Sequence, residues 1–194
     1  PAHCNLFAQV DQRIGEFVAT ALGLGLEEAR ALQKKYFREH GTTLSGLMRN
    51  HSIEPDAYLD YVHDIDMSGV PEIPELDDAL SALDGRKLIY TNGSAPHAKN
   101  VLRQLGITHH FEAIYDIVAA DYRPKPDAAP YEDLVLRHDI DPLHAVMIED
   151  IARNLVPAAA LGMATVWLRT NLDWSHEGSE GDHVHYITDD LVAW

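Results

Sequence analysis

The chain has 194 residues, of which 46% are hydrophobic and 24% charged, an ordinary composition for a globular protein. Its 15 Lys and Arg residues stand against 31 Asp and Glu residues, and the formal charge of −16 disfavours nucleic-acid partners. No apolar run reaches the roughly 20 residues of a membrane helix, so we expect no membrane partner. The single Cys4 excludes an intrachain disulfide and favours the cytoplasm.

The first third of the chain predicts helices only. Apolar residues recur at helical spacing in residues 6–22, 26–39 and 44–50, and in a fourth helix that begins at Pro55. Thr42 or Thr43 is expected to cap the third helix. Two prolines within residues 70–74 then interrupt the pattern, so we predict a small helical bundle over residues 1–69 and a second domain over residues 70–194.

The second region alternates between two patterns. Short apolar runs predict strands at residues 87–91, 113–118, 145–149, 165–168 and 185–188. Helical spacing predicts intervening helices at residues 75–83, 96–105, 129–138 and 154–161, the last with Pro157 in its first turn. The fold class is therefore α/β, with a Rossmann-like parallel sheet, helices on both faces and a small helical domain beside it.

Two candidate sites follow predicted strands, where open parallel sheets bind their ligands. Thr91, Asn92 and Gly93 end the first strand, and a hydroxyl and free amides there suit a phosphate. The alternative is a plain turn in which Ser94 caps the next helix. Glu149 and Asp150 end another strand and suit a hard cation such as Mg²⁺. Here the alternative is Asp150 as an ordinary helix cap.

Two further features carry candidate chemistry. Lys125 lies between Pro124 and Pro126, which are expected to hold the backbone extended, and its ammonium group is placed to offset phosphate charge. The alternative is a solvated loop lysine. The His109-His110 pair and the His183-x-His185 pair are typical of metal sites, but we interpret both as surface histidines.

Taken in order, Leu-Ile-Tyr-Thr-Asn-Gly-Ser at residues 88–94, Arg-Pro-Lys-Pro at 123–126 and Val-Met-Ile-Glu-Asp at 146–150 resemble three motifs of the haloacid dehalogenase (HAD)-like hydrolases with a helical cap. The resemblance covers nearly the whole chain. Residues 36–47, Tyr-Phe-Arg-Glu-His-Gly-Thr-Thr-Leu-Ser-Gly-Leu, are similar to the pyrimidine 5′-nucleotidase branch of that family.

The resemblance implies a Mg²⁺-dependent phosphomonoesterase that acts through an aspartyl-phosphate, on a small phosphorylated metabolite and more narrowly on nucleoside 5′-monophosphates. Thr91 and Lys125 would be catalytic, and Thr91, Asn92, Gly93 and Lys125 would bind phosphate. Asp150 would ligate the metal directly, with Glu149 acting through water. Cap residues that could face the leaving group, or equally belong to the core or surface of the cap, are Tyr36, Arg38, Thr42, Thr43 and His63. The state expected is a monomer or homodimer.

The family's first motif, an Asp-x-Asp that supplies the nucleophile, is not found where it is expected. Asp11 is the first acid and lies in a predicted helix, whereas family members place the motif before residues like Pro1-Ala2-His3. We expect it upstream of Pro1, on a first core strand between the strands that end at Thr91 and Glu149, because losing that strand would leave two buried edges unpaired. The chain as given is expected to be inactive.

Three alternatives stay open. A 2-haloacid dehalogenase uses the same aspartate on carbon without a metal, and the paired acids Glu149-Asp150 argue against it. A phosphoglycolate or sugar-phosphate phosphatase shares the motifs. A catalytically inactive HAD-like binding protein would apply if the Asp-x-Asp strand is truly absent.

Overall fold

The computed structural model describes residues 6–194, and Cys4 and Pro1-Ala2-His3 lie outside that range. Its first four helices confirm the predicted helical region: α1 (Leu6–Leu22), α2 (Leu26–His40), α3 (Thr43–His51) and α4 (Pro55–His63). Gly41, at φ 79°, lets the chain turn between α2 and α3. The Thr42 hydroxyl oxygen then accepts a 3.1 Å hydrogen bond from the Ser45 amide, so Thr42 is the cap.

A core of apolar side chains holds the four helices together. Its buried members are Val18, Ala29, Tyr36, Leu44, Leu47, Tyr58, Leu59, Val62 and Ile117. Ile117 is not helical but follows a strand, and Tyr122 also packs against this core. The helical region is therefore continuous in packing with the chain segment just beyond that strand.

The next elements form a two-stranded parallel sheet with its helices. They are α5 (Pro74–Ala82), β1 (Leu88–Tyr90), α6 (Ala95–Gln104) and β2 (Ala113–Tyr115). Leu88 pairs with Ala113 and Tyr90 with Tyr115. A second core of Leu6, Val70, Leu102, Leu105 and Ile107 packs with side chains of both strands.

The remaining elements form a three-stranded parallel sheet. They are α7 (Ala128–Arg137), β3 (Val146–Glu149), α8 (Val156–Ala160), β4 (Ala164–Leu168) and β5 (Tyr186–Thr188), in the strand order β3-β4-β5. A 3₁₀ turn, Ala152–Leu155, precedes α8, and Pro157 lies in the first turn of α8 as predicted. All five predicted strands are present and every pairing is parallel, which confirms the α/β class.

The chain forms two compact units, one ending at Pro124 and the other running from Lys125 to Trp194. The first unit includes both the four helices and the β1–β2 pair, because Ile117 and Tyr122 pack into the helical core. The predicted boundary between residues 69 and 70 stays a prediction. Among residues 6–194, β1 and β3 belong to different sheets, and the strand expected between them also stays a prediction.

No helix within residues 6–194 combines the length and the apolar character that crossing a membrane requires.

Residues 36–47 bring helices α2 and α3 into close contact. A Cβ atom added to Gly46 would overlap the Cβ and Cγ atoms of Tyr36, so only glycine lets α3 approach that ring. Leu47 is fully buried beside it, and the Tyr36 hydroxyl is 2.7 Å from His51 Nε2. The aromatic and glycine spacing of this segment therefore reflects helix packing.

Gly46→Ala should destabilise the fold. The added methyl overlaps a buried ring, which typically lowers the free energy of unfolding by about 1–3 kcal/mol, although alanine favours the helix. Urea unfolding followed by circular dichroism measures the change. Gly15→Ala is the matched control, since the atoms nearest to its added Cβ are side-chain atoms of Arg30 and Gln33 at 3.3 Å, whereas Tyr36 Cγ would lie 2.3 Å from the Cβ added to Gly46. Equal stability of the Gly46 variant and wild type would contradict this packing argument.

Candidate active site

The loop after β1 is closed by its own threonine. The Thr91 hydroxyl oxygen accepts a 2.9 Å hydrogen bond from the Gly93 amide, and the Thr91 amide donates to the Tyr115 carbonyl. As an acceptor in this turn, the hydroxyl keeps its hydrogen for an external oxygen. The Gly93 amide is already engaged here, so its assignment as a phosphate donor stays a prediction, as does that of Asn92.

Asp116, which directly follows strand β2, holds this loop in place. Its carboxylate, 8% exposed, accepts hydrogen bonds from the Ala95 amide at 2.7 Å and the Ala119 amide at 2.9 Å. Ala95 begins α6, so the acid satisfies a backbone donor that the helix leaves free and lies at the positive end of its dipole. Ser94, which would cap this helix in the alternative interpretation of the loop, makes no such bond with its hydroxyl.

The Ser94 hydroxyl instead meets a histidine of the helical region. Its Oγ atom is 3.0 Å from His63 Nδ1, and the His63 ring stacks on His97 at a centroid distance of 4.2 Å. Both rings border a cleft of about 250 Å³, whose other lining residues are Leu59, Asp60, Asp64, Ile65, Pro96 and Asn100. This cleft therefore opens beside the loop that ends at Ser94.

Burial keeps both imidazoles neutral. It lowers the pKa of His63 to about 3, with a smaller effect from a charge on His97, and it also lowers the pKa of His97. The pair therefore offers flat, uncharged rings to the cleft.

In the second unit, Glu149 is held by two side chains. Lys125 Nζ lies 2.8 Å from Glu149 Oε2, and the two side chains are 8% and 10% exposed. Asn154 Nδ2 donates to Glu149 Oε1 at 2.6 Å, and the Tyr131 hydroxyl donates to the Asn154 carbonyl. Lys125 and Pro126 lie in a turn, and the extended backbone expected at Lys125 stays a prediction.

Asp150 carries the charge that this network leaves unbalanced. Burial and then the adjacent Glu149 carboxylate raise the pKa of Asp150 to about 6, and the opposing Lys125 charge does not cancel the shift. Its backbone carbonyl accepts a 3.1 Å hydrogen bond from the Trp167 indole, which fixes the turn after β3. A cation bound here would relieve the repulsion.

Glu149 and Asp150 differ in how well they could bind a magnesium ion. Both oxygens of Glu149 already accept hydrogen bonds from Lys125 and Asn154. Asp150 is the carboxylate whose ionised form is disfavoured, so Asp150 would ligate Mg²⁺ directly and Glu149 would act through an intervening water.

The sequence model of the haloacid dehalogenase-like hydrolases matches residues 6–162, most of the chain and all of the elements above except β4 and β5. The chain belongs to this HAD family. Phosphate metabolism protein 8 of Saccharomyces cerevisiae is 28% identical over 179 residues, which cover 81% of this chain and 54% of that protein. The chain thus spans about half the length of the curated relative it matches.

Solved structures share the fold. An HAD phosphatase from Thermococcus onnurineus matches with a TM-score of 0.58 and 18% identity, over 94% of this chain and 85% of that one. CbbY from Rhodobacter sphaeroides in complex with phosphate matches with a TM-score of 0.65 and 18% identity, over 95% of this chain and 88% of that one. An L-2-haloacid dehalogenase matches with a TM-score of 0.54 and 16% identity, over 95% of this chain and 90% of that one.

Within this HAD protein, three of the residues that could face the leaving group have structural partners. Tyr36 is buried in the helical core, Thr42 caps α3, and the Thr43 hydroxyl donates to the Gln33 carbonyl at 3.2 Å. These contacts account for all three residue types without a ligand. Their assignment to substrate binding stays a prediction.

Two Asp-x-Asp sequences occur within the chain, and neither follows a strand. Asp64-Ile65-Asp66 follows α4, and Asp64 pairs with Arg13 while Asp66 binds Ser68. Asp139-Ile140-Asp141 follows α7, and Asp141 pairs with His144. Neither has the strand-end position that the nucleophile of the HAD family occupies.

The structure also corrects the interpretation of one histidine and adds two residues to the candidate site. The His110 side chain is only 8% exposed, so it is not a surface histidine. Asp116 escaped notice because the predicted strand at 113–118 included it, whereas β2 ends at Tyr115. His97 gave no local signal, since its partner His63 lies 34 positions earlier in the sequence.

The neutral histidine pair predicts a loss of stability in mild acid. The unfolded His63 takes up a proton near pH 6.5, whereas the folded one resists it down to about pH 3. Stability should therefore fall as the pH drops below 6.5, by about 1.4 kcal/mol per pH unit for each proton taken up only on unfolding. Urea unfolding at pH 7 and pH 5 measures this slope.

His63→Asn should flatten that slope, because asparagine keeps a polar atom near Ser94 but does not titrate. His144→Asn is the control, since the His144 side chain is 83% exposed. A His63 variant with the wild-type slope would contradict the role given to this pair.

Proposed function

We propose that this HAD-family hydrolase is a Mg²⁺-dependent phosphomonoesterase that acts through an aspartyl-phosphate on small phosphate esters, nucleoside 5′-monophosphates in particular. The observation that carries the proposal is the Lys125–Glu149–Asn154 network beside Asp150. It holds one acid with two hydrogen bonds and leaves the next acid, which is partly buried, with a charge that a cation would balance. That is an arrangement suited to a metal-dependent reaction.

The chain's own residues would take three roles. Thr91 would donate its hydroxyl hydrogen to a phosphate oxygen, since its oxygen already accepts from Gly93. Lys125, held in one orientation by Glu149, would offset the charge of the transferring phosphoryl group. Bound Mg²⁺ would add Lewis-acid stabilisation of that charge, with Asp150 as its direct ligand. The nucleophilic aspartate would come from an Asp-x-Asp motif outside residues 6–194.

The cleft beside Ser94 supports a flat, polar leaving group. His63 and His97 present uncharged stacked rings, and Asn100 and Asp60 line the same space. Neutral imidazoles suit the base or sugar of a nucleoside better than a second phosphate, which a cationic lining would favour. This supports a nucleoside monophosphate over a bisphosphate.

The paired acids distinguish this proposal from dehalogenation. Attack on carbon with release of halide needs no metal, and a partly buried Asp150 next to Glu149 would then lower stability without a role in the reaction. A phosphatase uses both, one as metal ligand and one to orient Lys125 and Asn154.

Activity of the full-length natural protein tests the proposal. We expect hydrolysis of p-nitrophenyl phosphate and of nucleoside 5′-monophosphates that stops when EDTA is added. Asp150→Asn should lower kcat/KM at least about a hundredfold, because several kcal/mol of charge stabilisation are lost. Asp182→Asn, an exposed acid of the same unit, should retain full activity.

Release of chloride from 2-chloropropionate in EDTA would overturn the phosphatase assignment in favour of a dehalogenase. Absence of both activities in the full-length protein would favour the binding-protein alternative.

A second prediction tests metal binding through protein stability, independently of catalysis. In EDTA above pH 6, Asp150→Asn should be more stable than wild type by up to about 3 kcal/mol, because the raised pKa means that ionised Asp150 opposes folding. Added Mg²⁺ should raise the melting temperature of wild type and of Asp182→Asn but not that of Asp150→Asn. An equal Mg²⁺ effect on all three proteins would remove Asp150 from the metal site.

A further inference from the structure

A second cluster of metal-type ligands lies at the other end of the β1–β2 pair from the Thr91 loop. Asp77 belongs to the first turn of α5, and His109 and His110 form a 3₁₀ turn between α6 and β2. The turn precedes β2, whereas Thr91 follows β1, and the two strands are parallel. The cluster is therefore separate from the Thr91 loop, which follows β1.

One oxygen atom is shared by both imidazoles. Asp77 Oδ1 lies 2.7 Å from His110 Nε2 and 3.1 Å from His109 Nε2. The three candidate ligand atoms all lie within 4.8 Å of one another. Two neighbouring histidines thus turn the same ring nitrogen toward one carboxylate oxygen, which brings three ligands to a common centre.

We propose that Asp77, His109 and His110 bind a divalent transition-metal ion of the Zn²⁺ type. Two imidazole nitrogens and one carboxylate oxygen suit Zn²⁺, and hard Mg²⁺ prefers oxygen ligands. Metal bonds of about 2.0–2.2 Å place tetrahedral ligands roughly 3.3 Å apart. The distance from Asp77 Oδ1 to His110 Nε2, now 2.7 Å, would lengthen by about 0.6 Å, and the distance to His109 Nε2, now 3.1 Å, by about 0.2 Å. The fourth position is left for water.

The exposure of the three side chains fits a site that can be loaded. His110 is 8% exposed and held in place, whereas His109 at 62% and Asp77 at 40% face solvent. One fixed ligand and two accessible ones give an entry path, and rotation of the accessible pair supplies the small opening. The net charge of −16 favours cation binding generally.

Bound metal would tie α5 to the segment before β2. These elements are far apart in sequence, so a metal that binds only the folded chain would raise its stability. The site would therefore be structural, and independent of the hydrolase chemistry proposed above.

Zn²⁺ titration of the untagged protein tests the proposal. Calorimetry in millimolar Mg²⁺, which occupies oxygen-rich sites, should give one tight Zn²⁺ per chain and a rise in melting temperature. Co²⁺ should give the visible absorption of a tetrahedral complex. Asp77→Asn and His109→Asn should each weaken Zn²⁺ binding at least about tenfold, the lower end of what the loss of even a supporting contact does at metal sites.

Asp78→Asn is the matched control, because it removes the neighbouring charge from α5 and leaves the three ligands in place. Circular dichroism of the Asp77 and His109 variants without metal verifies that they fold. Absence of Zn²⁺ binding, or equal binding by wild type and both ligand variants, overturns the proposal. Equal weakening by Asp78→Asn also overturns it, since it would show a general charge effect.

Discussion

Two adjacent carboxylates at the end of β3 impose the constraint that organises the second unit. One charge is balanced inside the protein, because Lys125 and Asn154 each donate to an oxygen of Glu149. A buried ion pair of this kind adds little net stability, but removing one partner leaves the other as an unpaired charge in a poorly solvated site. The pair therefore fixes the Lys125 turn and the segment after β3 to the same strand end. Asp150 keeps the excess charge.

A different constraint organises the loop after β1. Its oxygen and nitrogen atoms are mostly committed to the protein, since Thr91 binds Gly93, Asp116 binds Ala95, and Ser94 meets His63. An acid already lies at the N-terminus of α6, so that helix end is less available to a phosphate than the sequence suggests. The loop still offers the Thr91 hydroxyl hydrogen. Recognition of a phosphate in so acidic a chain would thus depend on a few oriented groups.

The sequence predicted the elements well, because the signals were local. Apolar runs located all five strands, and helical spacing located the eight helices to within one or two residues, apart from the region 152–160, where a 3₁₀ turn and a short helix replace one helix. Lys125, Glu149 and Asp150 were found from motifs. Their pairing was not, because Lys125 and Glu149 are 24 positions apart and nothing local indicates which acid the lysine meets. The same limit hid the Asp116 contact with α6 and the stacking of His63 on His97.

The segment from Tyr36 to Leu47 shows how a family resemblance and a binding site differ. Gly46 is glycine because the Tyr36 ring occupies the space of a Cβ atom, and Thr42 caps the helix that brings the two together. The segment therefore reports the architecture of the helical region. Evidence on the substrate has to come from side chains that face open space, and in the first unit those are His63, His97 and their neighbours in the cleft.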